Sequence, residues 1–361
     1  MAVMRWDIFC RVIDNFGDVG VCWRLSAELA RRGEHVRLWL DDPQSLAWMA
    51  PGALEGRVSG IEVLHWTMPL PAGQPASLPL ADVWIEAFGC EPPPECVNDL
   101  ATRLTGGERP PVWINLEYLS AEPYVERSHR LPSPVMSGPL RGLTKWFFYP
   151  GFTERTGGLL REPDLLQRQA EFDAGAWLRD LDLPLSTPRA SLFCYEPAVL
   201  PEVLRQAAQA SWHCLVTPGR AWHAAQTAPA GQLHPLPLLT QHDFDHLLWS
   251  CDLNFVRGED SLVRALWASQ PFVWQIYPQH DDAHHAKLEA FLDWLQAPAS
   301  LRVFHRAWNG ISSATPLWPD TATLGDWRSC VQAARQRLLA QPDLATQLSG
   351  FVQGKRRGKR R

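Results

Sequence analysis

What most constrains this chain is an alternation of apolar runs and amphipathic segments that halts at a proline-rich stretch and then restarts. Residues 6–13 form an apolar run fit for a buried strand. A helix follows with Val21, Cys22, Leu25 and Leu29 on one face, Asp18 placed to cap it and Gly33 to stop it. Val36, Leu38 and Leu40 alternate as a second strand, and 61–65, 82–87, 112–116 and 145–149 read as further strands. Residues 70–80, rich in proline and glycine, read as loop. The break is Leu181-Asp-Leu-Pro-Leu-Ser-Thr-Pro-Arg189. Beyond it, strands at 191–195, 212–217 and 233–239 interleave with helices at 199–210 and 243–250, and 281–295 and 325–340 look helical. Such alternation makes parallel sheets with right-handed crossovers. The expected fold is therefore α/β, with two Rossmann-like domains facing a central cleft. The expected bounds are 1–183 for the first domain and 184–340 for the second. A segment at 341–354 would return to the first domain, and 355–361 would be a basic, disordered tail.

Composition narrows the classes. A chain of 361 residues is long for one core and suits two. Its 46% apolar and 20% charged content is that of a globular protein. No stretch approaches a membrane span, and Arg5 and Asp7 break the only apolar run near the start. Eight scattered cysteines without a Cys-x-x-Cys pair read as reduced, buried thiols, and the location expected is the cytoplasm. The 18 tryptophans are read mainly as core packing, with a few flanking ligand grooves. The last seven residues hold six of the 34 basic groups, which leaves 28 basic against 39 acidic elsewhere. Nucleic acid is thus an unlikely partner for the body.

Two turns carry the chemistry. After the first strand comes Ile13-Asp14-Asn15-Phe16-Gly17-Asp18-Val19-Gly20. It sits where a Rossmann phosphate loop would, but it lacks the Gly-x-Gly-x-x-Gly spacing and holds two carboxylates, which repel a pyrophosphate. Asp41 and Asp42 fall where an NAD ribose partner would, a weak match. The first turn reads as a place for catalytic carboxylates and a cationic or polar acceptor. The second turn, Arg257-Gly258-Glu259-Asp260-Ser261, lies between an apolar strand and an amphipathic helix. Arg257 offers a fork of donors to a diphosphate, and Asp260 and Ser261 begin a helix whose free N–H groups hold phosphate oxygens. Glu259 is then free for a second ligand. His280, His284 and His285 show no converging ligand spacing, so no metal is expected.

Together with these turns, Cys22-Trp-Arg-Leu, Asn115-Leu-Glu-Tyr-Leu-Ser-Ala-Glu122, Phe147-Phe-Tyr-Pro-Gly-Phe152, Asn254-Phe-Val-Arg and Pro271-Phe-Val-Trp-Gln-Ile-Tyr-Pro-Gln279 occur in order. The chain resembles the bacterial protein-arginine rhamnosyltransferases that modify elongation factor P. The resemblance implies a GT-B glycosyltransferase of inverting type that uses dTDP-β-L-rhamnose and needs no metal or cofactor. Its partner would be elongation factor P, modified on an arginine to relieve stalling at proline runs. It implies Asp18 as general base, Glu259 as a second essential carboxylate and Asp14 in support. Nucleotide-sugar contacts would fall on Asn15, Phe16, Gly17, Phe193, Tyr195, Gln241, Phe255, Arg257, Gly258, Asp260 and Ser261, with Tyr277 and Gln279 near the sugar. Other readings are a sugar-nucleotide transferase with a small-molecule or lipid-linked acceptor, and a non-enzymatic ribosome-associated binding protein.

Overall fold

The computed structural model describes residues 3–12, 16–67, 69–70, 74–186, 188–226, 232–277 and 283–358. The chain divides into two compact units, Met1–Glu162 with Gln341–Arg361, and Pro163–Ala340. The first unit opens with β1 (Arg5–Cys10), α1 (Gly17–Arg31), β2 (His35–Leu40), α2 (Leu46–Met49), β3 (Ile61–His65) and α3 (Gln74–Ser77). It continues through β4 (Val83–Ala87), α4 (Pro94–Thr105), β5 (Val112–Leu116), α5 (Pro123–Ser128), β6 (Pro132–Pro134) and β7 (Thr144–Phe148). The sheet order is β3-β2-β1-β4-β5-β7-β6, parallel except for β6 against β7.

Both faces of that sheet are covered, so its central strands are apolar on either side. On one face Ile8, Cys10, Ile85, Ile114 and Leu116 join Val19, Cys22, Leu25 and Leu29 of α1 in one core. On the other, Phe9 gathers Trp39, Trp66, Trp84 and Trp113 over Leu100 of α4. The Phe9 ring lies 5.7 Å from Trp39 and 5.3 Å from Trp84. That layer accounts for four of the tryptophans.

The second unit begins with α6 (Leu165–Glu171) and α7 (Ala174–Asp180). Then follow β8 (Arg189–Leu192), α8 (Leu200–Gln209), β9 (His213–Val216), α9 (Arg220–Ala225), β10 (Gln232–Pro235) and α10 (Gln241–Ser250). The unit closes with β11 (Leu253–Arg257), α11 (Gly258–Ala268), β12 (Phe272–Gln275), α12 (Ala283–Leu295), α13 (Ala299–Trp308) and α14 (Thr321–Leu339). Its sheet, β10-β9-β8-β11-β12, is parallel throughout. A last helix, α15 (Leu344–Gly358), belongs to the first unit and buries Leu344, Ala345, Leu348 and Val352 in its core.

Some expectations need correction. The division falls after Glu162, not at 183, because Trp177 and Leu178 of α7 pack with Leu215, Leu236 and Leu247 of the second unit. The basic residues 355–357 are helical rather than disordered. Arg356 pairs with Asp82 at 2.7 Å, and the Lys355 ammonium stands 3.2 Å from the Trp146 ring centroid. Residues 359–361 lie outside the described residues.

Candidate active site

The parallel strand order reverses at β1/β4 in one sheet and at β8/β11 in the other, and α/β proteins bind ligands beyond the carboxyl ends of strands at such points. The second unit's switch point holds its most organised side chains. β11 runs directly into α11, with Arg257 as the extended residue before the helix and Gly258 at φ +70°, a conformation that favours glycine. The helix thus starts two residues earlier than expected, and Glu259 and Asp260 lie in its first turn. Ser261 is buried and its hydroxyl donates to the Arg257 carbonyl, so that oxygen supports the turn from inside. Trp274 of β12 donates its indole N–H to the Gly258 carbonyl at 2.7 Å.

Arg257 is held by rings. Its guanidinium carbon lies 4.6 Å from the Phe193 centroid and 4.5 Å from that of Tyr195, and Nη1 donates to the Cys194 carbonyl at 3.3 Å. Stacking of this kind fixes a planar cation while leaving its edge to meet an anion. Tyr195 also carries Arg220 at 4.9 Å and meets Tyr277 edge to face at 5.8 Å. Gln275 accepts from the Tyr195 amide at 2.8 Å. The structure therefore brings Phe193, Tyr195, Arg257, Gly258, Glu259, Asp260, Ser261 and Tyr277 to one sheet edge. Gln241 is buried as the first residue of α10, whose Phe244 packs 5.4 Å from Phe193. Gln279 lies outside the described residues.

Phe255 differs from expectation. It is only 2% exposed, with ring neighbours Phe304, Trp308 and Trp318. Its side chain supports the sheet from within and offers no open face to a base.

Three participants were not foreseen. Arg220 opens α9 after Gly219 and pairs with Glu196, holding that carboxyl below its usual range. Gln275 fixes the Tyr195 backbone, as above. Lys287 of α12 donates to Glu259 Oε1, each side chain 20% exposed, so Glu259 is not the unattended carboxylate the sequence suggested. The Thr217-Pro-Gly-Arg220 turn at a strand end was a legible signal for Arg220. Nothing near Lys287 in the sequence marked it.

At the first unit's switch point, Phe16 rather than Asp18 precedes α1, without a side-chain cap. Gly17 is the first helical residue, and Asp18 follows it, 4% exposed. Phe16 is 46% exposed and packs edge-on to Trp48 at 5.3 Å. Asp41 accepts from the Val12 amide at 2.8 Å, which ties the end of β2 to that of β1. The Cys10 thiol is pushed up by its hydrogen bond with Cys22, by burial, and by the nearby charges of Cys22, Asp18 and Asp41. Cys10, at the end of β1, is thus buried among negative charges. Asp14 and Asn15 lie outside the described residues.

Comparisons with known proteins decide the family. Residues 6–353 match the model of "Elongation-Factor P (EF-P) rhamnosyltransferase EarP". The chain belongs to this family. It is 44% identical to a protein-arginine rhamnosyltransferase of Pseudomonas putida KT2440, over 96% of this chain and 98% of that one. A solved structure concerned with EarP-mediated arginine glycosylation of translation elongation factor EF-P is 30% identical, covers 97% of this chain and 99% of its own, and superposes with a TM-score of 0.64. The calicheamicin glycosyltransferase CalG4, 14% identical with a TM-score of 0.53 over 98% of this chain and 99% of that one, shares the fold alone. The chain is accordingly an enzyme of the EarP family with the GT-B fold of glycosyltransferases. Among the described residues no helix is long and apolar enough to cross a membrane.

Proposed function

We propose that this enzyme moves L-rhamnose from dTDP-β-L-rhamnose to an arginine of elongation factor P, with inversion, in the cytoplasm. The observation that carries the donor side is Arg257, stacked on Phe193 and Tyr195 at the N-terminus of α11. A departing nucleoside diphosphate develops negative charge on its terminal phosphate. A fixed guanidinium and the positive end of a helix meet that charge without reorganising. Arg220 adds a second cation beside the same tyrosine. Phe193 and the half-exposed Tyr277 are the rings we assign to base and sugar, with Gln241, Gly258, Asp260, Asn15, Phe16, Gly17 and Gln279 as further contacts.

The acceptor poses a different problem. A guanidinium is a poor nucleophile, since its lone pairs are delocalised and its pKa exceeds about 12. Deprotonation ahead of attack is therefore excluded as a separate step. A carboxylate that holds the group can localise density on one nitrogen and take the proton as the new C–N bond forms. We assign that role to Asp18, with Asp14 supporting it, and a positioning role to Glu259. The salt bridge to Lys287 orients Glu259.

The mass of elongation factor P after incubation with the enzyme and dTDP-β-L-rhamnose tests the whole reading; one added deoxyhexose is expected. An unchanged mass, with a sugar delivered to a small or lipid-linked acceptor instead, would replace the acceptor assignment. Asp18→Asn should lower kcat by roughly 10²- to 10⁴-fold while dTDP affinity by calorimetry stays near wild type. Undiminished turnover would remove Asp18 from the base role.

A further inference from the structure

The motif Asn115 to Glu122 has no part in the chemistry above, yet it lies at the carboxyl edge of the first sheet. Asn115, on β5, and Glu117, just past it, share a face with Trp113 by strand alternation. The Asn115 amide donates Nδ2 to Glu117 Oε1 at 2.8 Å. Its own Oδ1 is sealed from solvent and has no hydrogen-bond partner, which is uncommon for a buried acceptor. No lysine or arginine among the described residues pairs with Glu117, and burial raises its carboxyl pKa against the single relief of the Asn115 hydrogen bond. The Asn115 oxygen thus lacks a donor, and Glu117 has the Asn115 amide as a donor but no cation among the described residues.

Aromatic rings frame them. Tyr149, just past β7, feels the Glu117 charge, and burial with that charge pushes its phenol up to about 12, so it stays a neutral donor. Tyr149 meets Tyr124 edge to face at 5.9 Å, and Tyr124 is 42% exposed. Phe147 stacks on Tyr149 at 6.2 Å. Beside them Tyr118 stacks on Phe88 at 4.5 Å, and Phe88 holds φ at +59°, a costly conformation for a bulky residue. A half-buried carboxylate with no cation paired to it among the described residues, beside the exposed ring of Tyr124, suits one kind of ligand, a cation with several N–H donors.

We infer that Asn115, Glu117 and Tyr149 form a second cation subsite, which takes a basic side chain of the protein acceptor other than the arginine that is modified. Geometry separates the two roles. β5 lies two places from β1 in the sheet, about 10 Å away at normal strand spacing. Asp18 belongs to α1, which packs on the opposite face from Trp113. We assign the two carboxylates to two different basic side chains of the acceptor.

The subsite rests on the acceptor being elongation factor P, and the experiment separates the two claims. Calorimetry would measure binding of elongation factor P and, separately, of dTDP to wild type, Glu117→Gln and Tyr149→Phe. Glu117→Gln keeps the Asn115 contact, so its melting temperature should not fall. We expect its affinity for elongation factor P to drop at least about tenfold. The KM for elongation factor P should rise with kcat retained and the dTDP constant unchanged. Tyr149→Phe should weaken acceptor binding less. Wild-type acceptor affinity and KM in Glu117→Gln would overturn the subsite, as would a lowered melting temperature with the KM unmoved. Failure of the wild-type enzyme itself to bind elongation factor P would remove the functional reading and this inference together.

Discussion

Phe255 and Tyr277 belong to adjacent segments of one sheet edge, but one is 2% and the other 43% exposed. Deleting the Phe255 ring removes contacts to Phe304, Trp308 and Trp318, so Phe255→Ala should cost about 3–5 kcal/mol of stability. Urea unfolding would show that loss. Calorimetry at low temperature, on the folded fraction, should find dTDP affinity little changed. A strong loss of dTDP affinity at unaltered stability would restore the stacking role first expected for it. The sequence could not decide this, because a central parallel strand is apolar on both faces and alternation does not say which ring looks out. Its neighbour Asn254 was similarly opaque. It reads as a motif residue, but it is fully buried, accepts from Ser191 and donates to the Leu248 carbonyl, tying β11 to β8 and α10. Arg257 was legible because an arginine at a strand end has few other uses; Lys287, mid-helix, was not.

Elements were read well where flanking strands were short and punctuated, as at β2, β3 and β5, and poorly where one helix completes another element's backbone. β12 is an edge strand, and its exposed amides would invite pairing with another chain. α13, not foreseen in the sequence, covers that edge. His305 Nε2 accepts from the Trp274 amide at 3.0 Å, and Asn309 Oδ1 accepts from the Ile276 amide at 2.9 Å. The backbone partners fix the His305 tautomer, with Nδ1 donating to the Leu301 carbonyl at 3.0 Å. Burial lowers the His305 pKa to about 4 from its ordinary 6.5. As pH falls below 6.5 the unfolded chain gains a proton there that the folded chain refuses, so stability declines until about pH 4. The loss over that window is on the order of 3 kcal/mol. His129, also lowered to about 4 by burial and Arg130, adds a parallel term in the other unit. His305→Gln should flatten the decline of the urea midpoint between pH 6.5 and 4 by its own share. An identical slope in wild type and variant would mean that His305 does not govern it.

At the scale of the whole chain, the second unit is an insertion within the first, which begins at the N-terminus and ends with α15. A proline-rich stretch marks a loop, whereas a domain boundary depends on which core collects the apolar residues on either side. That is why 181–189 looked like the linker, while Leu165 and Leu178 before it already serve the second unit. The return of the chain was better marked, since Leu344, Ala345, Leu348 and Val352 repeat at helical spacing just before the basic residues. All four lie in the core with Ile8, Ile85 and Leu116. Leu348 is fully buried, so Leu348→Ala leaves a cavity and should cost about 2–5 kcal/mol. The consequence should be local to one unit. Hydrogen exchange should quicken in β1, β4 and β5 while β8 and β11 keep their wild-type protection. Equal loosening of both sheets would mean instead that the two units unfold as one cooperative body.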